Sequence, residues 1–114
     1  MVIVEVKPGV CQFLTRIQAQ GDDAFQVSLQ ISSDCAHIQA LAARLDTVSA
    51  LIELRRSIVE TTPYQLAAAS RVHAACPVPS AIMKAIEVAA GMALPADVEV
   101  RIQRVSEPTL RQSS

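Results

Sequence analysis

Three short segments of alternating polarity, joined by turns too brief to hold a helix, constrain this chain more than anything else in it. Val2, Val4 and Val6 alternate with Ile3, Glu5 and Lys7, and Pro8-Gly9 then turns the chain. Over residues 10–19, Cys11, Phe13, Thr15, Ile17 and Ala19 share one side and Gln12, Arg16 and Gln18 the other. After the Gly21-Asp22-Asp23 turn, Phe25, Val27, Leu29 and Ile31 alternate with Gln26, Ser28 and Gln30. Parallel neighbours would need a long crossover, so the expectation is an antiparallel three-stranded meander with one apolar face to be covered.

Helical signals follow. Ser32-Ser33-Asp34 precedes Ile38, Leu41, Ala42 and Leu45 on one helical stripe. Asp46-Thr47 reads as a stop and restart, and Leu51, Ile52, Arg55, Arg56 and Val59 suit a second amphipathic helix. Thr62-Pro63-Tyr64-Gln65 has the form of a capping box with proline in the first turn, opening a third helix to about His73. A last helix runs over residues 81–90 to Gly91. Val98, Val100 and Ile102, alternating with Glu99, Arg101 and Gln103, then predict a final strand that joins the sheet. The expected fold is α+β: the meander covered by helices, with an additional C-terminal strand, as one domain over residues 1–105 and a flexible tail over 106–114. The sequence is 51% hydrophobic with two Phe, one Tyr and no Trp, so Val, Ile, Leu and Ala must build the core.

A net charge of −1, without a basic run or aromatic platform, gives no case for nucleic acid. Val2-Ile3-Val4-Glu5-Val6 after Met1 lacks the features of a signal peptide, and there is no apolar run of the ~20 residues a membrane span needs. The expected location is the cytoplasm. Three cysteines are an odd number, and a reducing compartment keeps all three as thiols or metal ligands.

Each cysteine falls at an element boundary: Cys11 after Pro8-Gly9, Cys35 at a helix start, and Cys76 before Pro77-Val78-Pro79-Ser80. A thiol beside a helix N-terminus meets unpaired N–H donors and the positive end of the dipole, which favour thiolate. In a meander covered by helices, the first hairpin, the end of the third strand and the start of the last helix can meet at one end of the sheet. Three thiolates there suit zinc or an iron–sulfur cluster, since soft sulfur ligands select these metals. A fourth ligand is then needed; His73 is preferred over His37 and Asp34. The plainer reading stands beside this one, because free cysteine often packs as a small buried hydrophobe.

Taken whole, residues 2–90 resemble the iron–sulfur cluster scaffold family, IscU and the amino-terminal domain of NifU. The resemblance rests on Cys11 in the first hairpin, Cys35 where the third strand meets a helix, and Cys76 ahead of the last long helix. It implies a scaffold holding iron and sulfide, or zinc, on three cysteines and one further ligand. The family has Asp two residues after its first cysteine, where Phe13 stands. It has Gly after its second, where Ala36 stands, and His directly before its third, where Ala75 stands. Locally, Cys76-Pro77-Val78-Pro79 is also similar to the TusA sulfur carriers. That likeness implies a persulfide carrier in which Cys76 alone is the catalytic nucleophile, exchanging sulfur with a donor or acceptor protein. A third expectation, from the Ala-rich helices and apolar composition, is a metal-free homodimeric interaction domain. Neither resemblance implies an enzyme in its own right.

Overall fold

The computed structural model describes residues 1–106. The three alternating segments form β1 (Val2–Val6), β2 (Thr15–Gly21) and β3 (Gln26–Ser33). They are followed by α1 (Ala36–Ala42), β4 (Thr47–Ser49), α2 (Ala50–Glu53), a 3-10 turn (Ile58–Glu60), α3 (Thr62–Ala69) and α4 (Val78–Ala89). The sheet has the order β1-β2-β3-β4, antiparallel throughout. The α+β class and the meander are therefore as expected from period two.

The predicted phase holds within the strands, although Phe25, expected on the inward row, lies before β3 in a left-handed conformation (φ 62°) and is exposed. Val6, Ile17, Ala19, Val27 and Leu29 are buried on the helix side, while Arg16, Gln20, Ser28 and Gln30 are exposed on the other. Ile38 and Leu41 of α1 and Val78, Ile82, Ala85 and Ile86 of α4 close the core over that face. α4 lies across β2 and β1, and α1 against β3.

Four expectations are corrected. The fourth strand comes from Thr47–Ser49, paired with Gln26–Ser28, and not from the C-terminal segment. Residues 94–106 hold no regular structure and no place in the sheet; Val98, Val100 and Ile102 are 68%, 78% and 94% exposed. Their alternation is a sound local strand signal, but a strand exists only where a neighbour supplies its hydrogen bonds. The expected second helix over residues 51–59 is replaced by β4, the single turn α2 and the 3-10 turn, with Ile52, Ile58 and Val59 exposed and Glu53 buried. The second strand starts at Thr15, so Cys11 and Phe13 lie exposed in the preceding connection.

The fourth correction concerns α3, which stops at Ala69, short of His73. Arg71 takes a left-handed conformation (φ 58°), and the Arg71 and Val72 N–H groups donate back to the Ala68 and Ala67 carbonyls. That is a Schellman stop without its usual glycine. Nor does α3 use the expected capping box. Thr61 is its N-cap, without a side-chain bond, and the buried Glu53 carboxylate accepts from the Thr62 N–H (2.7 Å) and the Thr62 hydroxyl (2.5 Å). The expected tail over residues 106–114 falls almost wholly outside the described residues.

Candidate functional site

The register of the sheet brings three distant parts of the chain to one end. Val6 pairs with Thr15, and Thr15 with Ser33, so the β1–β2 connection and the end of β3 share an edge of the fold. Cys11 lies in that connection and Cys35 two residues beyond Ser33. The third part arrives by way of α4. Its last residue, Ala89, packs against Gly21 at the opposite end of β2. Twelve helical residues span about 18 Å and seven strand residues about 23 Å, so the start of α4 returns to the Thr15 end. Cys76 precedes it directly.

Each thiol is held differently. Cys11 is exposed in a turn where Gly9 (φ 90°) and Gln12 (φ 59°) take left-handed conformations and the Gln12 N–H donates to the Gly9 carbonyl at 3.0 Å. Cys35 is half-buried as the N-cap residue of α1. Its N–H donates to Ser33 Oγ at 3.1 Å, and that oxygen also accepts from Thr15 Oγ1 at 2.9 Å. Thr15 is fully buried, so this pair ties Cys35 to the buried start of β2. Its signal in the sequence is a hydroxyl on an otherwise apolar inward row.

Cys76 is half-buried, and its sulfur accepts from the Val78 N–H at 3.5 Å, the first donor of α4. With Pro77 as N-cap and Pro79 in the first turn, α4 begins at Val78, one turn before the helix expected at residue 81. His73 is exposed and shares the turn with Cys76, whose N–H donates to the His73 carbonyl at 2.9 Å. His37 is engaged elsewhere, its Nδ1 3.1 Å from the Ser70 carbonyl oxygen, and Asp34 is exposed.

Burial pushes the Cys76 thiol up, the Val78 N–H pulls it partly back, and Cys11 and Cys35 push it up further. The helix start alone does not make this sulfur a resident thiolate, because desolvation outweighs the single N–H bond. The three sulfurs nonetheless lie near enough for the charge on two to oppose ionisation of the third. Among the described residues no group of three His, Cys, Asp or Glu side chains stands ready-spaced to hold a metal ion. Thiolate donors as a chemical class suit a soft cation.

A prediction follows for the metal-free protein. Removing the neighbouring sulfurs removes a repulsion that disfavours the Cys76 thiolate, so the Cys11→Ser, Cys35→Ser double variant should alkylate at Cys76 with its half-maximal rate at a lower pH than wild type. Iodoacetamide kinetics read by peptide mass spectrometry check this, and an upward shift would mean the thiols support one another's ionisation.

No helix among the described residues is long and apolar enough to cross a membrane. No curated protein matches the chain, and no solved structure matches it. One family model does, over residues 2–102, which takes in the meander, all three cysteines, α4 and the alternating segment that follows it. The chain therefore belongs to a family of unknown function, DUF6951.

Proposed function

We propose that this protein binds a soft cation, zinc or the iron of an iron–sulfur cluster, through the thiolates of Cys11, Cys35 and Cys76, as a metal-site or scaffold protein of the cytoplasm. The observation that carries this reading is the placement of three sulfurs from distant parts of the chain at one end of the sheet. A cation there offsets the burial and, beside it, the thiolate repulsion that raise the Cys76 thiol, so binding is coupled to proton release. The set closes by an inward movement of Cys11, the exposed member, toward the half-buried Cys35 and Cys76 at the starts of α1 and α4. His73, exposed in the Cys76 turn, is the imidazole that completes the shell, His37 being engaged with the Ser70 carbonyl. Val10 and Phe13, exposed on either side of Cys11, offer apolar purchase to a protein that supplies or receives metal or sulfur. The burial that keeps Cys76 protonated weighs against its acting alone as a persulfide carrier.

The test is elemental analysis, with an absorption spectrum, of protein purified anaerobically without chelator. About one equivalent of zinc or iron per chain, reduced at least tenfold by Cys→Ser at each of the three positions, is the expected result. His73→Ala should give a smaller loss. Metal-free protein with an intact fold, or occupancy indifferent to the cysteines, overturns the reading.

A further inference from the structure

β1 is the terminal strand of the sheet, and among the described residues nothing pairs with its outer edge. An uncovered strand of sequence Val2-Ile3-Val4-Glu5-Val6 is a template for another strand. The same chain carries a second unsatisfied element. Residues 98–102 alternate apolar and charged side chains, have no strand partner and are exposed. Glu99 and Arg101 project together, with Arg101 Nε 3.4 Å from Glu99 Oε1, as alternate residues of an extended segment do. The match to the family extends through residue 102, so this segment belongs to the unit the family shares.

We infer that the segment pairs antiparallel with the β1 edge of a second copy of this chain, the two copies exchanging segments about a two-fold axis. The register follows from charge. With Val100 opposite Val6 and Ile102 opposite Val4, Arg101 faces Glu5, Glu99 faces Lys7 and Gln103 faces Ile3. Both opposite-charge pairs fall on the outer face, and both valine and isoleucine contacts extend the helix-covered face, where Val4 and Val6 already point. Slipping by two residues one way sets Glu99 against Glu5; slipping the other way sets Arg101 against Lys7. Either puts like charges opposite each other.

Direction favours a second copy over the segment's own sheet. α4 ends at Ala89 beside Gly21, and Val2 pairs with Ala19, so the chain leaves α4 at the end where β1 begins. Entering β1 from there makes a parallel strand, which matches Arg101 to Glu5 but leaves Lys7 and Glu99 without each other. A second copy supplies the antiparallel direction directly. Exchange by both copies closes the assembly and covers both edges.

Charge variants of the full-length chain test this, studied with reductant and chelator present so that neither disulfides nor metal bridge the copies. Wild type should sediment at twice the chain mass of 12.2 kDa at high concentration and dissociate on dilution. Lys7→Glu alone sets two carboxylates against each other at both contacts, and Glu99→Lys alone sets two ammonium groups. Each should weaken dimerisation roughly tenfold. Mixing the two variants restores an opposite pair at both contacts, so a heterodimer should form with near wild-type affinity. Arg101→Pro, which removes the ladder N–H facing the open edge at Glu5 and lies at an exposed position outside the core, should abolish the dimer and leave the fold intact. A wild-type chain monomeric at all concentrations overturns the inference, whether the segment is then protected from amide exchange (pairing in its own sheet) or unprotected. Two variants that fail to complement on mixing overturn it as well.

Discussion

Gly21→Val is expected to destabilise the protein by about 3 kcal/mol and to loosen the thiol site at the far end of α4. A Cβ at Gly21 would fall on the backbone carbonyl of Ala89, with the carbonyl carbon at 3.0 Å, and no flexible side chain is present there to yield. The helix end must lift. Ala89 is followed by a Schellman stop in which Gly91 (φ 75°) and Met92 donate to the Val88 and Glu87 carbonyls, so the end is rigid and moves as a unit. Lifting it withdraws Ile82, Ala85 and Ile86, all fully buried, from the sheet. Urea denaturation gives the stability, and the alkylation rate of Cys76, expected to rise, reports the site. A change below 0.5 kcal/mol would mean that α4 does not rest on β2 at this point.

Glu53→Ala should cost about 2 kcal/mol, a large effect for a residue between two exposed arginines and an exposed isoleucine in sequence. The carboxylate is buried and accepts from the backbone and hydroxyl of Thr62, with Arg56 Nη1 at 3.5 Å as a weaker partner. Removing it leaves the first N–H of α3 without an acceptor, and α3 has no side-chain cap of its own. Glu53→Gln keeps one acceptor and should cost less than half as much. Thermal unfolding measures both, and amide exchange at Thr62 locates the effect. Equal losses in the two variants would point to the charge at the helix start as the main contribution, in place of the lost acceptor.

These two residues also show where reading the sequence stops. Glu53 reads as the solvated side of a helix over residues 51–59, because its partner Thr62 is nine positions away and local periodicity carries no information about a bond at that distance. Thr47-Val48-Ser49 is too short to display a period, so the strand it forms is visible only through its pairing with Gln26–Ser28. The capping pattern at residues 62–65 is real as a pattern, yet the folded chain satisfies the same N–H from elsewhere.

What the sequence determined alone is whatever rests on local, repeated chemistry. Alternation in β1, β2 and β3 set their existence, their inward faces and their antiparallel order, since the connections between them are too short for a parallel crossover. Prolines at 77 and 79 set a helix start immediately after Cys76, since proline loses nothing where the N–H groups are unpaired. Tertiary structure decided everything that depends on two distant segments meeting. The Val6, Thr15 and Ser33 register, together with the seating of Ala89 on Gly21, is what carries Cys11, Cys35 and Cys76 to one end of the sheet. The alternating residues from Val98 onward have the right local form for a strand, but they take no place in their own sheet, because strand identity is completed by a partner's backbone and not by side-chain period.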